Sequence, residues 1–153
     1  TEAPEIKMRF VNIMELTVLG IGNQECRAPF HDFNDYFTTD KPVIFNFHGY
    51  PQTLKQIVFD YQNDGRRFSI HGYIESGSTT TPFDMHVRNR TSRYHLAMEV
   101  FEKMAQRNIL DKDKKEMLVQ KYQKKLDEHG EYIRNNGVDP DEIENWQWLK
   151  KSW

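Results

Sequence analysis

The sequence predicts an α/β fold: a three-layer α/β/α arrangement around a small mixed, mostly parallel sheet, with a helical C-terminal extension. Three observations predict it. Apolar runs of strand length alternate with stripes of helical period through the first 110 residues. Those runs are apolar on both alternating sets of positions, as in strands covered on two faces. Beyond Leu110 the composition turns to charged residues carrying one thin apolar seam. The chain therefore reads as a single domain over 1–153, with an α/β core over 1–110 and a helical extension over 111–153.

The first strand is expected in KMRFVNIMEL, residues 7–16, with Met8, Phe10 and Met14 on one side and Val11 and Ile13 on the other. Gly20, Gly22 and Pro29 mark the next stretch as loop, and HDFNDYFTTD as a short helical turn. PVIFNFH, residues 42–48, is the second strand, with Val43, Phe45 and Phe47 on one face and Ile44, Asn46 and His48 on the other. Pro51 sits where a helix tolerates a missing N–H. Leu54, Ile57, Val58 and Tyr61 then follow at helical spacing, and Gly65 is the expected C-terminal cap.

RFSIHGYIE, residues 67–75, is the third strand. Thr81, Pro82 and Asp84 resemble a capping box and start a helix running to about Asn89. Thr91 or Ser92 caps another, whose stripe is Tyr94, Ala97, Met98, Phe101, Met104 and Ala105. The long charged helix that follows has a seam of Leu118, Val119, Tyr122, Leu126 and Ile133. Gly137 and the Asp139-Pro140-Asp141-Glu142 start signal set off a last short helix with Trp146 and Trp148. These two tryptophans, two positions apart, cannot share one narrow face, so one is expected to plug the core or meet a partner.

Bulk properties narrow the function classes. Only 37% of residues are hydrophobic and 29% are charged, which is polar for a self-sufficient globule and points to a docked piece or a long solvated helix. A net charge of −2 disfavours phosphate-gripping nucleic-acid binders and polybasic membrane attachment. The single cysteine, Cys26, cannot form an intrachain disulfide or a Cys-rich zinc site, and it fits a reducing, cytoplasmic compartment. No apolar run approaches the ~20 residues of a membrane span. Thr1–Lys7 has no signal pattern and reads as the middle of something longer.

Four motifs invite a site. His48-Gly49-Tyr50-Pro51 after an apolar strand resembles the oxyanion segment of α/β-hydrolases. That fold also needs G-x-S-x-G, yet no serine here has glycines at both required positions, and Cys26 has Gln24 and Ala28 there instead. Gly20-Ile21-Gly22 lacks the third glycine and the helix start of a dinucleotide loop. His48 and His71 each open a His-Gly-Tyr tripeptide at a strand end, so they are candidate neighbours at the carboxyl edge of the sheet, where open α/β sheets bind ligands. Hydrogen-bonded packing beside tight glycine turns is the simpler reading. His86 and His95 fall on different helices, and no histidine pair has the spacing of a metal site. The Ser78–Thr81 loop could hold an anion on its N–H groups, although capping is the commoner use. The lysine-rich stretch 112–125 has acids interspersed and reads as a solvated face.

The segments RFVNIMEL, FTTDKPVIFNFHGY, GYIESGSTTTPFDM, RYHLAMEV and YIRNNGVDPDEIENWQW, in this order and spacing, resemble the C-terminal part of the phosphoketolases that act on D-xylulose 5-phosphate and D-fructose 6-phosphate. Phe37–Tyr50 and Thr79–Met85 are the most specific; Thr17–Ala28 has no match. The resemblance implies a fold like the transketolase C-terminal domain. It implies a parent enzyme, a carbon–carbon lyase, that uses thiamine diphosphate and Mg2+ to cleave the ketose phosphate and yield acetyl phosphate. It implies that cofactor and catalysis belong to upstream domains, so no catalytic, cofactor-binding or metal residue is assigned to this chain. The expected role here is structural: packing on the upstream domains and supporting a homo-oligomer. A regulatory site for a small anion or nucleotide, at His48/His71 or Thr79–Thr81, is the alternative. The resemblance further implies a strand and a helix before Lys7, without which the sheet would have a bare edge.

Overall fold

The computed structural model describes residues 2–19, 30–61, 65–75, 77 and 79–147. Helices α1 (Phe30–Phe37) and α2 (Pro51–Val58) flank strand β1 (Val43–Phe47) in the chain; strand β2 is Phe68–Gly72. Helices α3 (Pro82–Arg88), α4 (Arg93–Gln106), α5 (Lys112–Asn136) and α6 (Asp141–Glu144) follow. β1 and β2 pair in parallel, with Val43 opposite Phe68 and Phe47 opposite Gly72.

One face of this sheet is covered by α1 and α2. Phe45 of β1 joins Phe33, Phe37, Leu54, Val58 and Tyr61 in the first core cluster, with Val43, Phe47, Phe68 and Ile70 packed against it. Phe33 stacks on Tyr61 with ring centroids 4.1 Å apart. Burying a side chain such as Val58 completely is worth about 1.5–3 kcal/mol. Arg67 closes this layer from below: its guanidinium donates to the carbonyls of Phe37, Thr38 and Lys41 at 2.9–3.0 Å. A cation is well placed there, where α1 ends and its last carbonyls lack intrahelical donors.

The other face looks onto α3 and α4. Asn46 Nδ2 donates to Thr91 O (3.3 Å), and His71 reaches Glu99 of α4. α5 then packs on the far side of α4. Tyr94 and Met98, early in α4, meet Leu126; Phe101, later in α4, meets Leu118 near the start of α5. The two helices therefore run antiparallel. The three-layer α/β/α order holds, with the extension forming an added helical layer.

The predicted caps are in place. Thr81 Oγ1 accepts from Asp84 N (3.2 Å) with Pro82 in the first turn, and Ser92 caps α4. Gly137 ends α5 in the left-handed region, φ 71°. Leu54, Val58 and Tyr61 are buried as their spacing requires.

Two expectations are corrected. Residues 7–16 form no strand; the stretch carries no regular element until a 3-10 turn at Leu16–Leu19. The alternation is real, because Val11 and Ile13 pack on the first core while Met8, Phe10 and Met14 face outward. What is missing is the ladder: a strand needs a neighbouring backbone in register, and among the described residues the sheet holds β1 and β2 alone. Gly65 is not the cap of α2. That helix stops at Val58 and tightens into a 3-10 turn, Phe59–Tyr61, while Gly65 opens a second such turn. Cys26, Gly20, Gly22, Ser78 and Trp148 lie outside the described residues.

Candidate functional site

The paired His-Gly-Tyr tripeptides do not put His48 beside His71. In the parallel register His71 lies opposite Asn46, two positions before His48. His48 instead stacks on Tyr73, with centroids 4.6 Å apart. His86 of α3 completes this group, 6.4 Å from His48 and 5.9 Å from Tyr73. Burial first, and then the neighbouring His48 charge, lowers the pKa of His86. Its Nδ1 is held by Thr91 Oγ1 at 2.9 Å. The glycines between explain the tight turn: a Cβ on Gly72 would lie 2.4 Å from Pro51 Cδ and 2.5 Å from Gly49 O.

His71 serves a second group. Its Nε2 donates to Glu99 Oε2 at 2.5 Å, and Lys103 Nζ stands 3.5 Å from the other carboxylate oxygen. Burial alone would raise the Glu99 pKa. Hydrogen bonds from His71 and Ser69, with the charges of His71 and Lys103, outweigh it and hold the carboxyl at about 2. A cleft of about 360 Å³ opens here, lined by His71, Arg90, His95, Glu99, Lys103 and Gln123 among others. Burial, then the charges of Arg90 and His71, lowers the pKa of His95.

The Thr79–Thr81 segment meets carboxylates. Thr80 Oγ1 donates to Asp84 Oδ2 (2.6 Å) and Thr81 Oγ1 donates to Asp139 Oδ1 (2.7 Å). Asp139 Oδ2 accepts from Phe83 N at 3.1 Å. An incoming anion would face these two acids, so the anion-site alternative gains no support here. The third partner of Asp139 is His129, 3% exposed, whose Nε2 donates to Oδ1 at 2.8 Å. Sequence reasoning missed His129; its position, three residues after Leu126 on the same helical stripe, was the available signal. Burial would raise the Asp139 pKa, but the bonds from His129, Thr81 and Phe83 N lower it.

These groups are hydrogen-bonded packing units. Two hydroxyl–imidazole pairs occur, Thr91 Oγ1 with His86 Nδ1 and Ser92 Oγ with His95 Nδ1 (2.8 Å), and both hydroxyl residues are buried at the α3–α4 junction, where Ser92 caps α4. Among the described residues no three His, Cys, Asp or Glu side chains gather as metal ligands. No described helix is long and apolar enough to cross a membrane. Trp146 keeps 44% of its surface exposed, with the Arg93 guanidinium 4.8 Å over its ring.

The class is thus an α/β domain whose polar groups hold helices to a parallel sheet. The sequence profile of the XFP C-terminal domain matches residues 1–148, and the chain belongs to that family, the C-terminal domain of phosphoketolases. It is 42% identical over 146 residues to a probable phosphoketolase of Clostridium acetobutylicum, covering 95% of this chain and 18% of that protein. The probable phosphoketolase 2 of Rhizobium meliloti is 42% identical over 147 residues, with the same coverage. One from Lactiplantibacillus plantarum, also a probable phosphoketolase 2, is 39% identical, with 95% of this chain and 17% of the relative covered. The chain thus spans about a fifth of the length of these relatives.

Proposed function

We propose that this chain is the scaffolding C-terminal domain of a phosphoketolase. In the whole polypeptide, upstream domains bind thiamine diphosphate and Mg2+ and cleave xylulose 5-phosphate, and fructose 6-phosphate, with phosphate to acetyl phosphate and an aldose phosphate. This domain packs on them and supports a homo-oligomer in the cytoplasm. One observation carries the reading: the family match runs through residues 1–148, yet covers only 18% of a relative such as the Clostridium acetobutylicum protein. The groups around Glu99 and Asp139 support it, since their bonds join separate elements of the fold.

The test is a chimera in which this chain replaces the matching part of the Clostridium acetobutylicum protein. Supplied with xylulose 5-phosphate, thiamine diphosphate, Mg2+ and phosphate, it should form acetyl phosphate, and this chain alone should form none. Turnover by the chain alone would overturn the reading.

A further inference from the structure

We propose that His48 and His86 form a two-imidazole site for a divalent transition-metal ion at the carboxyl edge of the sheet. His48 directly follows β1 and is exposed. It stacks on Tyr73 through the face of its ring, which leaves both nitrogens at the ring edge. Among the described residues neither nitrogen has a hydrogen-bond partner. His86 is half-buried on α3, and its tautomer is fixed by Thr91. The Thr91 hydroxyl donates its one proton to His86 O at 3.3 Å. The same oxygen must therefore accept from His86 Nδ1–H, at 2.9 Å. With the proton on Nδ1, Nε2 carries a bare lone pair. Metal-ligating histidines are oriented in this way, by a hydrogen bond from the nitrogen that does not meet the ion.

The spacing suits one shared ion. An imidazole nitrogen lies about 1.2 Å from its ring centroid and binds Zn2+ at about 2.0–2.1 Å. Two imidazoles on one ion therefore have centroids about 5.3 Å apart at the tetrahedral angle, and about 6.5 Å apart at most. His48 and His86 stand at 6.4 Å, with their rings tilted by 52°. A shift of about 1 Å by the exposed His48 ring reaches the tetrahedral value. Water fills the remaining coordination positions. Imidazole nitrogen suits Zn2+, Ni2+ or Cu2+, whereas Mg2+ takes oxygen ligands. The site is thus different in kind from the Mg2+ site proposed for the upstream domains. A bound ion ties the turn between β1 and α2, which carries His48, to α3.

Calorimetric titration of the chain with Zn2+ tests this, with nitrogen NMR of the imidazoles as a second readout. One Zn2+ per chain should bind, and excess Mg2+ should not compete. His48→Gln and His86→Gln should each weaken binding at least about 10-fold; His48 is exposed and unbonded, so its variant keeps the fold. Thr91→Val keeps the side-chain shape but removes the hydroxyl that orients His86, and should weaken binding about 10-fold or more. His95→Gln should leave the affinity unchanged. Before Zn2+ is added, the spectrum should show His86 protonated at Nδ1. On titration, His86 Nε2 and one His48 nitrogen should shift together. No binding up to about 1 mM Zn2+ overturns the proposal. So does an unchanged affinity in either histidine variant, or an Nε2–H tautomer at His86. The same titration on the chimera and on its His48→Gln form reads the site in a whole enzyme. A difference of one bound Zn2+ upholds it, and no difference overturns it.

Discussion

Gly72 lies so close to Pro51 that a side chain at this strand end would overlap the first turn of α2, with Cβ 2.4 Å from Pro51 Cδ. The neighbouring Tyr73 N donates to Gly49 O at 2.8 Å, which fixes the same approach from the backbone side. The atoms in the way belong to the main chain and a proline ring, so they cannot swing aside. Gly72→Ala is expected to destabilise the protein by about 3 kcal/mol or more. A urea midpoint unchanged by this substitution would contradict the contact.

Asp139 gathers three donors, from His129, Thr81 and Phe83. Asp139→Ala strands a buried imidazole and removes a support for the start of α3. The expected loss is about 2–4 kcal/mol. Thr81→Ala, which removes the cap and one of the three bonds, should cost about 1–2 kcal/mol. Thermal melting of both variants and of the double variant checks the coupling: the double should lose less than the sum, because the two share a bond.

Arg67 serves three carbonyls at once and lies over the Phe68 ring, 4.2 Å from its centroid. A lysine carries the charge but not the planar fork. Arg67→Lys is therefore expected to cost about 2–3 kcal/mol, read as a lower denaturant midpoint with an unchanged slope.

Acid should weaken the fold in two stages. His86 and His95 have pKa values lowered from 6.5, by burial first. The folded state therefore binds fewer protons than the unfolded one, and stability falls as pH drops through 6.5. Glu99 is lowered from 4.5 to about 2, so its contribution is present above 4.5 and lost as pH falls towards 2. Solvent screening limits that second contribution to about 1–2 kcal/mol. Chemical denaturation across pH 7 to 3 should show both stages. Glu99→Gln should flatten the lower one, and His86→Gln with His95→Gln the upper.

Much of this architecture was legible in the sequence because the signals were local. The stripe Leu54–Val58–Tyr61, the Thr81 cap and Gly137 each depend on residues within a turn or two. The parallel register was not legible. Two identical tripeptides invite alignment of His48 with His71, but register is set by the apolar faces of the whole strands, and it offsets the tripeptides by two residues. His129 was missed because polarity hid its place on a buried stripe, and its partner Asp139 lies across a turn. The strand expected at 7–16 shows the converse: a strand's side-chain pattern survives where no ladder forms.

The bond between Thr81 and Asp139 joins positions 58 residues apart, on either side of the compositional change at Leu110. Anyone trimming the gene at that change, to obtain a smaller crystallisable unit, would cut away the acceptor on which the Thr81–Phe83 turn depends. A deletion there is a lesion in the sheet-bearing half as well as the removal of a tail.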